Sequence, residues 1–535
     1  MNLRIIPILS PPPLTRMNST FTFPPEIEEG NIEYKRQIHN LSNEKIIKFK
    51  TQMLWRMKEG KINSGMEEAI YHIGIEDDGS ISGVSIESVN ESLSNLHKIG
   101  QLCKTEIFST QIHHTNNGVI AIVKIRKIND HVTVNDMRVC LLGASGNGKT
   151  TFIGVMTYDI LDNGNGEARS NIFKYNHEKK NGVTSSIKYE IVGYNENSYL
   201  NYNSGFMGSW EYIAKNSKFI VNLIDLPGNS KYIKTALFGL MAHKPHYALI
   251  FIGLTNVHNE NLSEETLLHI DLCHKLGIPM CFVFTKKDKI ENDEMCVIIN
   301  KVSMIIKKEI SLISSMDDII CENKINAIAI SNVTGENIDI LKSFLQKIGK
   351  NIEIAKTENS PSNDFMINDV AMIPDIGTVV SGILNNGKIN VDDKLLVGPI
   401  NKTFYNASII SIHKKQVPNK CIYNNEMGSM VIKMDKNMDI NKHCMIITPN
   451  QLCKFINSFK IIIMDCNYEF KNESSYMIFC GNVYDRIGVE KIKKSENEMI
   501  LTVKFHNNNI QFIENNDYIA IRITNMHIII GKVML

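Results

Sequence analysis

The sequence has no apolar run longer than a few residues, far short of the roughly 20 that a helix needs to cross a bilayer. It also lacks an excess of either charge: 58 Lys and Arg face 57 Asp and Glu, a formal net charge of +1. No global basic field draws in nucleic acid, so any RNA contact must come from a local patch. Eleven cysteines are present, but no C-x-x-C pair. An odd, scattered set argues against a disulfide framework or a zinc site and fits reduced thiols in a cytosol. At the start, Leu3, Ile5, Ile6, Ile8 and Leu9 are interrupted by Pro7 and followed by Pro11–Pro13. That stretch is too short for a secretory leader, and residues 1–25 read as a disordered tail. The expectation is a cytoplasmic protein without a membrane or DNA partner, acting as a monomer.

What is present is ample material for a core: 535 residues, 43% apolar and 21% charged, the size of several domains. Residues 26–135 read as a small α+β domain. Its strands are Ala69–Ile75, Ser80–Val84 across an Asp77-Asp78-Gly79 turn, Glu106–Ile112 and Val119–Ile125, with helices through Gln52–Glu59 and Ile86–Ile99. Over residues 136–350 strands alternate with helices. Buried-strand candidates are Arg138–Leu142, Phe219–Ile224, Ala248–Ile252, Met280–Phe284 and Ala327–Ile330. Among the helices are Ser263–Leu276, with Ser263 as N-cap, and Glu336–Gly349. This alternation predicts a mostly parallel sheet with helices on both faces. Residues 351–364 read as a polar linker. Short β segments then predict two antiparallel β-barrels, residues 365–450 and 451–535.

The strongest signal is Gly143-Ala144-Ser145-Gly146-Asn147-Gly148-Lys149-Thr150, a G-x-x-x-x-G-K-[ST] loop between an apolar strand and the helical run from Thr151. Its glycines let successive N–H groups turn onto a β-phosphate at a helix N-terminus. Lys149 would bridge the β- and γ-phosphates, and the Thr150 hydroxyl would ligate Mg²⁺. Asp225-Leu226-Pro227-Gly228 ends the next buried strand. There Asp225 would reach the metal through water, and the Gly228 N–H the γ-phosphate. Between the two, Thr184 in Gly182–Ser186 is either a plain turn residue or a switch threonine that ligates Mg²⁺ and senses the γ-phosphate. Thr285-Lys286-Lys287-Asp288 supplies the base end. Asp288 can accept guanine N1–H and N2–H, which disfavours an ATP-driven machine, while the Lys286 stem covers the base. Ser331 would offer its backbone N–H to O6. Thr285 stands where guanine binders usually carry Asn, so a weaker brace is expected.

Together these elements resemble the elongation-factor-Tu-like translational GTPases. Ile373–Gly382, followed by NNGKINVDDKLLVGP, is similar to that group's second-domain signature. PEIEEGNIEYK (Pro25–Lys35), TQMLWRMKEG (Thr51–Gly60), YHIGIEDDG (Tyr71–Gly79), LDNGNGEAR, NHEKKNGVTSS and SIHKKQVPNK (Ser411–Lys420) narrow the resemblance to the GTP-binding protein 1/2 family. The resemblance covers residues 25–535. It implies a GTPase with GTP/GDP and Mg²⁺ as ligands, Thr184 as the switch threonine, and the ribosome, tRNA or mRNA-decay machinery as partners.

Three positions depart from the elongation factors. Asn229 follows D-x-x-G where the family carries the His that orients the attacking water; slow turnover is expected. The alternative is a GTP-dependent RNA or protein adaptor with little or no hydrolysis. Gly146 replaces an Asp, so no monovalent cation is expected there. Thr285 replaces Asn, as in the narrower family. His177 reads as exposed or as support for the switch. Lys414-Lys415 is read as a solvated turn or an RNA-phosphate contact, and Arg522 as an ion-paired or ligand-facing residue of the last barrel.

Overall fold

The computed structural model describes residues 23–535 apart from 40, 65–66, 104, 128–134, 174, 196–197, 204–209, 257–261, 316–323, 351–361, 374–375, 436–437, 465–467 and 496–497. The expected tail up to residue 22 and the linker over 351–361 lie outside the described residues. Phe23, assigned above to the tail, packs edge-on against Tyr34 and His72. Asp364, assigned to the linker, is fully buried and opens a barrel strand.

The N-terminal unit is a four-stranded sheet of β1 (Ile32–Lys35), β2 (Glu68–Ile73), β3 (Thr105–Thr115) and β4 (Gly118–Lys127), in the order β1-β2-β4-β3. The helices Asn43–Ser64 and Ile86–Cys103 cover one face, burying Met53, Met57, Val89, Leu93 and Leu96 against Ala69, Tyr71 and Ile73. The expected strand Ser80–Val84 is not one. Ile81 and Val84 make only isolated bridges to Ile75 and Val119. Gly83 lies between them at φ 61°, with the Asn117 carbonyl where a Cβ would stand, so the chain turns instead of running on.

The central domain is an eight-stranded sheet of β5 (Asn135–Leu142), β6 (Lys188–Tyr194), β7 (Tyr199–Leu200), β8 (Phe219–Asp225), β9 (Tyr247–Gly253), β10 (Met280–Thr285), β11 (Ile310–Leu312) and β12 (Ile325–Ala329). The order is β11-β12-β10-β9-β5-β8-β6-β7. All pairings are parallel except those of β6. β5 starts at Asn135, one residue inside the expected N-terminal unit. Helices fill both faces, as the near-continuous apolar runs of β8 and β9 require. Ser263 caps the helix Glu264–Lys275, its hydroxyl accepting the Thr266 N–H at 3.3 Å.

Two six-stranded antiparallel barrels follow. In the first, Lys394–Ile400 closes the ring by pairing with both Thr403–Lys414 and Met445–Ile447. The second is closed by Ser458–Met464, which pairs with Glu498–Phe505 and Ile528–Met534. The first barrel meets the central domain through several polar contacts among the described residues. Asn368 donates to His243 Nδ1 (3.0 Å) and to the Ala242 carbonyl (3.2 Å). The hairpin around Lys415 docks at the amino ends of β5 and β8, where Lys415 pairs with Asp136 at 3.0 Å. Lys414 pairs with Glu426. All four side chains are buried, so neither lysine forms a solvated turn or a phosphate contact; the sequence showed two adjacent charges but not their buried partners. Arg522 donates to Asn525 and has no carboxylate partner among the described residues. No described helix is long and apolar enough to cross a membrane.

Burial holds His243 and His269 down to about 3 and His413 down to about 4, so all three are neutral in the fold. The unfolded chain takes up their protons near pH 6.5 and the folded chain does not, so their stability contribution is complete above that pH and is lost as pH falls. Acidification from about pH 7.5 to about 5.5 should therefore cost about 1 kcal/mol per histidine, read as a falling melting temperature. A melting temperature that rises on acidification contradicts the buried, neutral assignment.

Candidate functional site

The carboxyl ends of β5, β8, β10 and β12 open onto one crevice, the position at which parallel α/β sheets present ligand-binding loops. The loop after β5 needs its glycines. Gly143 (φ 120°), Gly146 (φ 83°) and Gly148 (φ 83°) all have left-handed backbones, and a Cβ on Gly143 would strike the Phe251 carbonyl. Ser145 and Gly146 face solvent at its tip, and Thr151 lies in the first turn of the helix Lys149–Tyr158. Lys149 is buried; its ammonium donates to the carbonyls of Gly143 (2.8 Å) and Ala144 (3.0 Å). Burial lowers it to about 8 against the pull of Asp225. A cation held this way gains most from a phosphate that restores its lost solvation.

The loop is braced on every side. The Gly143 N–H donates to His269 Nδ1 (3.1 Å), the Ala144 N–H to the Thr266 hydroxyl (3.3 Å), and Asn147 Nδ2 to the Phe251 carbonyl (2.8 Å). The Thr285 hydroxyl, at the end of β10, donates to the Asn147 carbonyl at 3.0 Å. Thr285 therefore supplies one hydrogen bond to the loop at the position where an Asn was expected to brace it. Asn332 reaches the Gly148 carbonyl (3.3 Å). His269, Thr266 and Asn332 carry no spacing signal that links them to the loop; only the fold brings them there.

Thr150, Thr184 and Asp225 converge. Thr150 Oγ1 lies 2.7 Å from Thr184 Oγ1 and donates to Asp225 Oδ2 at 2.7 Å; the Thr184 hydroxyl is 3.4 Å from the same oxygen. All three are buried. Burial raises the Asp225 carboxyl, with Lys149 and Thr150 opposing, and its Oδ1 is buried without a hydrogen-bond partner. An all-oxygen set with one unsatisfied buried carboxylate oxygen fits a hard divalent cation such as Mg²⁺. Gly228 follows closely: a Cβ there would collide with the Gly143 carbonyl and the Lys149 ammonium, so only glycine brings this loop against the phosphate loop.

At the base end, Lys286 adopts φ 64° and starts the short turn that carries Asp288. The Ser331 hydroxyl donates to Asp288 Oδ1 at 2.6 Å, orienting the carboxylate. Ser331 does not offer its N–H as expected, because that group donates to the Glu336 carbonyl (3.1 Å) within a tight turn closed by Gly335. Asn229 caps the turn Ser230–Tyr232, its Oδ1 accepting the Lys231 N–H at 2.9 Å. His177 is exposed, stacked on Tyr175 and 2.8 Å from the Ser185 hydroxyl.

Residues 135–357 match the model of the elongation factor Tu GTP binding domain. GTP-binding protein 2 of Mus musculus is 29% identical over 502 residues, 89% of this chain and 81% of that relative. Along most of its length the chain is similar to GTP-binding proteins 1 and 2, and its central domain is of the elongation-factor-Tu GTP-binding type. The likeness to solved structures is one of fold. The Ski7 GTPase-like domain of S. cerevisiae, bound to GTP, aligns with a TM-score of 0.59 at 15% identity, covering 75% of this chain and 98% of that one. A bacterial selenocysteine-specific elongation factor aligns with a TM-score of 0.55 at 17% identity, and this chain (72% covered) spans 56% of its length.

Thr285→Ala removes a buried donor to the phosphate loop and should weaken GDP binding about fivefold, the worth of one such hydrogen bond. Calorimetric titration reads this directly; unchanged affinity would detach Thr285 from the site.

Proposed function

We propose that this chain is a GTP- and Mg²⁺-dependent switch that hydrolyses GTP slowly to GDP and phosphate. Its nucleotide state would set how the barrels engage the ribosome, tRNA or the mRNA-decay machinery, by resemblance to its family. The observation that carries the reading is the meeting of Thr150, Thr184 and Asp225 within hydrogen-bonding distance. One residue from the phosphate loop and one from each candidate switch segment converge there, so the loops report on a shared ligand.

The geometry supports the following roles. The amides of Gly143–Thr150 and the Lys149 ammonium would hold the phosphates and take up charge developing on the β–γ bridge and the γ-oxygens. Ser145, Gly146, Asn147, Gly148 and Thr151 would line the phosphate cradle. Thr150, Thr184 and Asp225 would hold Mg²⁺, which when bound neutralises phosphate charge. Gly228 would bring its N–H to the γ-phosphate. Thr285, Lys286, Asp288 and Ser331 would select guanine, with Ser331 acting through Asp288. Water attacks the γ-phosphorus in line, and the β–γ bridging oxygen leaves with GDP; no covalent enzyme intermediate is needed.

A second reading, an adaptor with little or no hydrolysis, is favoured by Asn229. Its side-chain oxygen is engaged in the cap on Lys231 rather than held free for water. Replacing Asn229 with His tests this. A rise in multiple-turnover phosphate release of about tenfold or more supports a slow natural chain, since general-base and water-positioning groups contribute on that scale or above. A fall means that Asn229 already orients the water. Release measured with and without ribosomes, alongside nucleotide-dependent co-sedimentation, tests the partner.

Asp288→Asn should weaken GTP and improve xanthosine triphosphate, because one acceptor at the base edge becomes a donor. Unchanged preference removes Asp288 from the base pocket.

A further inference from the structure

The helix Asn176–Asn181 stands immediately before Thr184, and its one buried residue is a carboxylate. Glu178 is fully buried and so is Lys188, at the start of β6; their charged ends lie 2.9 Å apart. Glu178 Oε1 also accepts the Ser185 N–H (2.8 Å), the Ser185 hydroxyl (2.9 Å) and the Ser186 hydroxyl (3.3 Å). The Lys188 ammonium sits 4.3 Å from the centre of the Phe173 ring. Burial alone would raise the Glu178 carboxyl, but the Ser185 donors and Lys188 hold it at about 2.

These contacts form a short path back to the site. In the sheet register Lys188 lies directly opposite Asp225. Glu178 is therefore tied, through Lys188, to the same rung that carries the Asp225 carboxylate. On its other side it grips Ser185, the neighbour of Thr184. Upstream, the Gly182 N–H donates to the Glu178 carbonyl at 2.8 Å, with Gly182 at φ 65° ending the helix. Thr184 is thus fixed from both flanks by one residue. Moving the Thr184 loop away means pulling Ser185 and Ser186 off a buried carboxylate, or separating a fully buried ion pair.

The geometry points to Glu178, clamped by Lys188, as a positioning residue that holds Thr184 in the closed, triphosphate-bound arrangement and not in the diphosphate-bound one. The inference rests on the reading of this chain as a GTP switch with Thr184 as its sensor. Glu178 makes its side-chain contacts to Ser185, Ser186 and Lys188 and not to Thr150 or Asp225; it acts only through the loop it holds.

The test compares the full chain with Glu178→Gln and with the double variant E178Q/K188M. Each is titrated, with Mg²⁺, against fluorescent GDP and a fluorescent non-hydrolysable GTP analogue. The double variant leaves no lone buried charge, so it keeps the test alive if the single variant folds poorly. The expected result is GDP affinity within about twofold of the parent and analogue affinity lowered about tenfold or more, the scale on which breaking a buried ion pair is felt. A purely structural role would weaken both nucleotides equally, and that result overturns the proposal. So does retention of the parent's preference by the folded double variant. If the unaltered chain binds neither nucleotide, the switch reading itself fails and the clamp falls with it. If it binds both and the variants do not distinguish them, only the clamp fails.

Discussion

The centre depends on one carboxylate that its own protein leaves half satisfied. Asp225 is completely buried, and one of its oxygens is engaged by Thr150 and Thr184 while the other has no partner. A buried carboxylate in that condition is costly, and few folds keep one without a use. Two threonine hydroxyls from separate loops share its remaining oxygen, so each loop's position is felt by the other. The crevice, the helix dipole behind Lys149 and the close approach of Gly228 all converge on the same point.

Among the described contacts between the central domain and the first barrel, two differ in kind. One starts on β6, the strand that follows Thr184. Tyr189 OH lies 2.7 Å from His243 Nε2, and His243 Nδ1 accepts from Asn368 on the barrel. His243 ends the helix that begins five residues after Gly228, so both segments flanking the site meet the barrel at one neutral imidazole. The other connection lies at the far, amino ends of the strands, where Lys415 pairs with Asp136 and donates to Asn222. It shares no residue with the site.

Much of this was legible in the sequence, for identifiable reasons. The strand–loop–helix around Gly143–Thr150 and the strand ends carrying Asp225 and Thr285 are local patterns, and local patterns survive without coordinates. Ser263 announced its helix because an N-cap is a property of three or four residues. What escaped depends on distant pairing. Lys414 and Lys415 looked like free charge because Glu426 and Asp136 are remote in sequence. Ser80–Val84 looked like a strand because alternation is visible and the close approach of Asn117 to Gly83 is not. Ser331 was read together with Asp288, which its hydroxyl contacts, but the turn that engages its N–H with Glu336 was invisible. His269 gave no motif at all, and Glu178 stood only within the family-like stretch NHEKKNGVTSS, since the importance of both lies in what they touch.

The amino-terminal edge explains why the first unit belongs to this architecture. Arg126 on β4 binds both Glu68 of its own sheet and Glu211 of the helix Trp210–Asn216 in the central domain. That same helix packs Ile213 and Ala214 against Val417, in the barrel hairpin next to Lys415. The N-terminal unit and the first barrel therefore hold one short helix from two sides, at the end of the sheet opposite the nucleotide crevice. Removing Arg126 would leave Glu68 buried without its counterion, while Glu211 keeps Lys215 at 2.7 Å, so the ion pairs fix the unit to the central domain beyond apolar contact alone. The rigid contacts gather at one end of the sheet and the half-satisfied carboxylate lies at the other.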